Sequence, residues 1–447
     1  MAVSAFDFGV EGLDSYYPNV LIPGTLLVIA GHPGSGKTTL AAQLCYHNAL
    51  KRRKCLYVST QESEEKFLKF MRRFGFDFEY LTASGFFRFS RLPLISSEEA
   101  LDGVLESITS MVLEFNPKIL VVDSVTPMTK VASGDAKRRA LIQNFFYNIA
   151  FEIRGLVVLI AEMPLGEHII RETGDIEFVA DGILILKHEI VNGMLSRRME
   201  IRKLRGSPLD ISEIPFTITP EGGIRVLVPP RRLAEKVEEP AKRYKLACEP
   251  LDEALGSLEG GEYVLLAGLP YEVGIGRVLK WILRVAGESG ARVAIVSYRE
   301  PEDNVKAMIE RAVEGEPRLA SVEVSVIHVN PALLGVEAVF SQELDAITLA
   351  KPDIVVFLDV DALAHFHRVN PMLLERYLGI EKATLRNLKA LAFRVSRALT
   401  LDSVSWELPL AEAIIYSDNP FREAEGRVIV WRASSGKKVL KLEGALE

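Results

Sequence analysis

Gly31-His32-Pro33-Gly34-Ser35-Gly36-Lys37-Thr38 fits the pattern G-x-x-x-x-G-K-[ST], and Thr39 follows it. Residues of these types at this spacing hold phosphate. The glycines let backbone N–H groups close around phosphate oxygens, and a helix beginning near Lys37 adds its positive end. Lys37 would reach the β- and γ-phosphates of a nucleotide, and the Thr38 hydroxyl would ligate magnesium. The second part of such a site is an acid at the end of an apolar strand. Pro117-Lys118-Ile119-Leu120-Val121-Val122-Asp123-Ser124 supplies it, with Asp123 beside the metal. A Gly-rich turn with a surface lysine, and an aspartate that merely forms a turn, are the plainer readings. The apolar run before Gly31 and the helical pattern after Gly36 favour the phosphate site over both.

These groups need elements to place them. Short Val/Ile/Leu-rich runs recur at Leu26–Ala30, Cys55–Ser59, Ile119–Val122, Leu156–Ala161 and Ile183–Leu186. Unbroken apolar runs of this length suit strands buried on both faces, so an α/β fold is expected, with a mostly parallel sheet between helices. The helix after Gly36 puts Leu40, Ala41, Leu44 and Cys45 on one face. Another is expected from near Ser63, burying Phe67, Phe70, Met71 and Phe74 and ending at Gly75.

The plan occurs twice. Glu11-Gly12-Leu13-Asp14 recurs as Glu249-Pro250-Leu251-Asp252, and Pro23–Gly31 as Gly260–Gly268. Val58-Ser59-Thr60-Gln61-Glu62 recurs as Val296-Ser297-Tyr298-Arg299-Glu300, and Lys203-Leu204-Arg205-Gly206 as Lys441-Leu442-Glu443-Gly444. The offsets are 238, 237, 238 and 238 residues, which points to a tandem duplication. The expected domains are 1–228 and 246–447, joined by a charged, Pro-containing linker over 229–245.

The rest of the chain sets limits. It has 447 residues with 48% hydrophobic and 25% charged, an ordinary globular composition. Its net charge of −7 argues against a protein dominated by non-specific nucleic-acid binding. The N-terminal Met1-Ala2-Val3-Ser4 lacks a basic-then-apolar signal, and no apolar run approaches the ~20 residues that span a bilayer. A soluble, cytoplasmic protein with no membrane contact is therefore expected. Cys45, Cys55 and Cys248 form neither a disulfide framework nor a CxxC pair and are expected as three buried thiols.

Gly31–Thr39, Tyr57–Glu62, Phe74-Gly75-Phe76-Asp77, Val122-Asp123-Ser124-Val125-Thr126 and Lys203-Leu204-Arg205-Gly206 resemble the RecA superfamily. The Asp-Ser-Val-Thr and Lys-Leu-Arg-Gly strings, with Pro215-Phe216-Thr217-Ile218-Thr219 after them, look like its KaiC branch. The resemblance implies two tandem RecA-like three-layer domains, ATP and Mg2+ as ligands, and a homo-oligomer, for which a hexameric ring is one form. It also implies hydrolysis of ATP to ADP and phosphate between neighbouring subunits.

The sequence departs from the branch at telling places. The branch usually has two adjacent glutamates after the second strand, the first acting as general base. Here the pair is Gln61-Glu62. Gln61 can orient water without taking its proton, and Glu62 either takes over as base or simply favours the start of the next helix. Slow or regulated hydrolysis follows. Lys203 and Arg205 lie two apart on an expected final strand, so both side chains leave one face. By resemblance they point at the γ-phosphate of the next subunit, and a solvated strand end is the alternative. In the second copy the lysine and threonine positions hold Gly274 and Ile275, or Arg277 and Val278 in the other register. Arg299 replaces Gln61 and Glu443 replaces Arg205, while Asp359, Asp361 and Glu300 remain. That copy is expected to have lost its nucleotide.

A KaiC-like Mg-ATP-binding protein is the expectation, with turnover driving assembly or a regulatory switch; a protein partner is left open. A recombinase-like DNA-binding ATPase and a non-catalytic ATP-sensing scaffold are the rivals. Residues 162–181 hold six acids against Arg171, a poor surface for DNA, while 124–140 carry a net +3, so DNA is disfavoured but left open.

Overall fold

A computed structural model describes residues 5–93, 95, 97–132, 136–163, 179–191, 193–209, 213–228, 241–268, 274–367, 371–397, 404–416 and 427–441. The chain divides into two compact units, one of Met1–Val191 and Leu195–Val228, the other of Pro229–Glu447 with Asn192–Met194. Each is a three-layer α/β domain of the RecA-like kind, with a mostly parallel sheet between helices.

In the first unit the strands are β1 (Thr25–Gly31), β2 (Cys55–Ser59), β3 (Phe87–Arg91), β4 (Ile119–Asp123), β5 (Leu156–Glu162), β6 (Gly182–Val191), β7 (Met194–Leu204), β8 (Glu213–Thr219) and β9 (Gly223–Val226). Their order across the sheet is β3-β2-β4-β5-β1-β6-β7-β8-β9. The strands from β3 to β6 pair in parallel, and β7 to β9 turn back antiparallel. All seven residues of β1 are buried. Leu27 and Ile29 pack on one face, against Leu40 and Leu44, while Leu26, Val28 and Ala30 pack on the other, against Val104 and Phe146. This is why the strand reads as an unbroken apolar run rather than an alternation.

Two helices of this unit matter to the site, α2 (Lys37–Leu50) and α3 (Glu64–Arg72), while α1 (Glu11–Tyr16) packs against β9. Ser63 stands at the N-cap position of α3 without a side-chain bond, and Phe67 and Met71 are buried as expected. Phe70 is not: it is 36% exposed, lying beneath the cations of Lys66 and Arg73 at 5.4 and 5.9 Å. On a nine-residue helix the buried stripe at i, i+4 is narrow, and Phe70 falls beside it. The cysteine expectation is also corrected. Cys45 on α2 and Cys55 on β2 form a disulfide with Cα atoms 5.9 Å apart, and only Cys248 remains a free, buried thiol. Neither spacing rule applied to the sequence registers a contact between a helix and the strand after it.

The second unit opens with a ribbon of β10 (Arg243–Tyr244) and β11 (Leu258–Glu259), flanking helix α4 (Glu249–Leu255). Its main strands are β12 (Tyr263–Ala267), β13 (Val293–Ser297), β14 (Val324–His328), β15 (Ile354–Leu358), β16 (Leu391–Val395), β17 (Ala413–Tyr416), β18 (Arg427–Arg432) and β19 (Gly436–Lys441). Their order, β14-β13-β15-β16-β12-β17-β18-β19, repeats that of the first sheet strand for strand through β8. Small details repeat as well. Asp14 accepts from the backbone of Phe8 at 2.6 Å, and Asp252 from that of Leu246 at 2.7 Å, each six residues back. Ser59 Oγ accepts from the amide of Glu62, and Ser297 Oγ from that of Glu300. Helices α5 (Ile275–Ser289), α6 (Val336–Ala350) and α7 (Pro371–Leu388) cover this sheet.

The expected loop of the second copy (269–273), most of the linker (229–240), Glu443, and parts of the two charged segments (133–135 and 164–178) lie outside the described residues. Among the described residues, no helix is long and apolar enough to cross a membrane.

Candidate phosphate site

The site forms where β1, β4 and β5 end side by side. Asp123, the last residue of β4, pairs in register with Ile160, and Gly31, the last of β1, pairs with Glu162, the last of β5. Parallel strands leave their C-terminal ends at one edge, and in open α/β sheets that edge is where ligands sit. Pro33 and Gly34 form the exposed crown of the turn between β1 and α2, while Ser35, Lys37 and Thr39 are buried. Gly36 stands at the N-cap of α2 with φ of 101°, and a Cβ there would meet Ile218 Cδ1 at 2.8 Å, so only glycine fits.

Lys37 folds back over its own loop, donating to the carbonyls of Gly31 and His32, each at 3.0 Å. Burial pushes its ammonium down from the ordinary lysine value, and the carboxylates of Glu162 and then Asp123 oppose this. Thr38 donates to Asp123 Oδ2 at 2.8 Å. Tyr57, buried on β2, donates to the same oxygen at 2.7 Å. Burial raises the Asp123 carboxyl, while the hydrogen bonds of Tyr57 and Thr38 and the charge of Lys37 pull it back. His32 Nδ1 lies 3.3 Å from the carbonyl of Met163, whose own amide donates to Gly31 at 3.0 Å; these bonds tie the loop to the end of β5.

These residues fit a magnesium nucleotide. A hydroxyl and a carboxylate held 2.8 Å apart are hard oxygen donors of the kind Mg2+ takes. The Ser35 hydroxyl is buried without a hydrogen-bond partner among the described residues, inside a loop that presents glycine backbone.

Gln61 and Glu62 are brought to the same edge but turn different ways. Gln61 Nε2 donates to Glu162 Oε1 at 2.8 Å. Glu62 lies 3.1 Å from Lys66, one turn along α3. Lys203 and Arg205 are not at this edge. Lys203 is half-buried on β7, and Arg205 stands in the turn just past it. The expected final strand is therefore corrected: β7 stops at Leu204 before Gly206 with φ of 79°, and β8 and β9 follow. Arg205 pairs with Asp181 at 2.9 Å, and Asp181 in turn accepts from the amide of Leu26 at 3.0 Å. Arg205 thus sits at the start of β1, the end opposite Gly31, roughly 15–20 Å away along the strand.

Tyr57, Glu162 and Thr126, whose hydroxyl accepts from the Glu162 amide at 2.8 Å, lie at the site but take no role in it from sequence alone. Tyr57 lies in the middle of β2, Glu162 closes β5 and Thr126 follows β4, so each reads in the sequence as core or loop. Sheet order alone makes them neighbours.

In the second unit the corresponding edge is held by arginines. Arg299 lies 2.7 Å from Asp361, and Arg397 bridges Glu300 at 3.2 Å and Asp359. The amide of Arg397 and the hydroxyl of Ser396 also donate to Asp361 Oδ1, at 3.0 and 3.2 Å.

The family model described as "ATPase: KaiC" matches residues 6–231. The circadian clock oscillator protein KaiC of Prochlorococcus marinus is 27% identical over 214 residues, 48% of this chain and 42% of that protein. The circadian clock protein KaiC3 of a Synechocystis strain is 26% identical over 265 residues, 57% of this chain and 52% of that one. The chain spans about half the length of the curated relatives it matches. The family model covers half of the chain and the whole phosphate edge, and on that ground the chain belongs to the KaiC ATPase family.

Proposed function

We propose that residues 1–228 bind one Mg-ATP at Gly31–Thr39 and hydrolyse it slowly, that 229–245 link the domains except at Arg243–Tyr244, which form β10 of the second unit, and that 246–447 form a domain without nucleotide. The observation that carries this reading is the convergence of Lys37, Thr38 and Asp123 at one strand edge. Lys37 would exchange its loop carbonyls for β- and γ-phosphate oxygens, and Thr38 and Asp123 would hold Mg2+. Bound there, the metal would neutralise charge developing on the transferred phosphoryl group. The backbone of Gly31 to Gly36 and the Ser35 hydroxyl supply donors, with Thr39 packing the first turn of α2 behind them.

The second domain lacks both a lysine and a hydroxyl at the equivalent loop positions. Its acids are already neutralised by Arg299 and Arg397, which occupy the edge a metal would need. Hydrolysis needs a further cation at the γ-phosphate, and Arg205 with Lys203 would provide it from a neighbouring subunit of a homo-oligomer, a ring being one such form.

Titration calorimetry on the intact chain tests the binding claim. Saturation near one nucleotide per chain is expected, with Lys37→Ala abolishing it; two bound nucleotides would sink the inactive second domain. Turnover measured with and without single-stranded DNA separates the rivals. The non-catalytic sensor is the second reading, favoured by the commitment of Glu62 to Lys66; tight binding with no turnover would select it.

A further inference from the structure

We propose that the carboxylate that accepts the proton of the attacking water is Glu162 at the end of β5, with Gln61 as its positioning residue. This rests on the ATPase reading above and names the base that reading leaves open. By the resemblance, Gln61 stands where the branch usually has its first glutamate, and its amide donates to Glu162 Oε1 at 2.8 Å. A glutamine can donate this bond; a glutamate there would put two carboxylates in contact and force one to take up a proton. The charge is thus displaced by one residue across the site rather than lost.

Glu162 is well placed for the task. It is the register partner of Gly31, the first residue of the phosphate loop, on the strand between β1 and β4. Its backbone is fixed from both sides, with its amide held by Thr126 at 2.8 Å and the next amide, that of Met163, held by Gly31 at 3.0 Å. Its charge acts on Lys37 ahead of that of Asp123. Glu62, the other candidate, pairs with Lys66 at 3.1 Å while its charge still reaches Asp123, so the test below includes it. In the step itself, the water oxygen bonds to the γ-phosphorus as the bond from that phosphorus to the β–γ bridging oxygen breaks. Glu162 takes the water proton, ADP leaves, and the proton passes to solvent, restoring the carboxylate.

A swap of the two side chains tests this. Glu162→Gln should lower kcat by about 100-fold or more, as loss of a general base does. Its affinity for Mg-ATP by calorimetry should change far less than kcat, since Lys37, Thr38 and Asp123 are all kept. The double variant Gln61→Glu/Glu162→Gln returns one carboxylate to the same hydrogen bond and should recover at least about tenfold over Glu162→Gln. A structural tether would give no such recovery. Full turnover in Glu162→Gln, a double variant no faster than the single one, or Glu62→Gln losing as much as Glu162→Gln would each overturn the proposal. A wild-type chain that binds Mg-ATP without turning it over would overturn the ATPase reading first.

Discussion

Asp123 Oδ2 accepts from two hydroxyls at once, Thr38 and Tyr57. If Thr38 turns to a bound cation, Tyr57 alone keeps the carboxylate aimed. Its ring is locked by Phe67, with centroids 4.7 Å apart, and stacks on Phe89 at 5.8 Å, so the hydroxyl has little freedom to leave. Removing a partner that orients a metal ligand typically weakens metal binding by ~10–100-fold. Tyr57→Phe keeps the ring packing and should raise by about that factor the Mg2+ concentration that half-saturates nucleotide binding. Titrating Mg2+ at fixed nucleotide measures it, and an unshifted midpoint would reduce the hydroxyl to a satisfied core group. The contrast marks what one chain direction reveals. Gly31 to Thr39 are consecutive, so their joint chemistry is written in order, and Asp123 announces itself at the end of an apolar run. Tyr57 and Glu162 become partners of that chemistry only when β2, β4, β5 and β1 lie side by side, which spacing alone does not encode.

The same distinction holds for whole elements. Strands buried on both faces were legible because parallel sheets leave continuous apolar runs: β2 runs over the expected residues, and β1, β4 and β5 exceed theirs by a residue or two. The repeat was legible too, and the two sheets share one strand order. Hidden from pattern reading were contacts set by tertiary packing, such as the Cys45–Cys55 bond and the exposure of Phe70. Hidden most of all was the second sheet's ionic face. There Arg394 on β16 is fully buried with Glu381 of α7, at 2.9 Å, and Glu407, at 2.6 Å. Its guanidinium also lies 4.6 Å from the ring of Phe357. Glu343 of α6 is buried close by, bonded by Tyr298 at 2.6 Å. Burial pushes all three carboxyls up, and the Arg394 charge draws them back. Removing one member of a buried ionic group leaves its partners unpaired and costs about 3–5 kcal/mol, whereas replacing the whole group with apolar residues is often neutral. Arg394→Met should therefore destabilise the second unit by about that amount in denaturant titration, and adding Glu381→Leu and Glu407→Leu should recover much of it. A neutral Arg394→Met would mean that the carboxyls are already protonated and need no counter-charge.

At the scale of the whole molecule, the question is which chain completes the phosphate site. Arg205 is 58% exposed at the side chain and borders a pocket lined by Ile22, Thr25, Tyr147 and Asp181, at the far end of β1 from Lys37. Within one chain it pairs with Asp181; in the proposed trans arrangement it would serve a neighbour's nucleotide. Lys37→Ala destroys a subunit's own phosphate cradle and leaves Arg205 intact, while Arg205→Ala keeps the cradle and removes a cation that in such sites is worth ~10³–10⁵ in rate. Each variant alone should be nearly inactive. Mixed and allowed to exchange subunits, they create some interfaces that join an intact cradle to an intact arginine, and part of the activity should return. A cis role for Arg205 predicts no return, because every chain in the mixture then lacks one half of its site. Proven exchange without recovery would leave Arg205 as the surface partner of Asp181, pinning the start of β1, and would move the search for the missing cation elsewhere in the assembly.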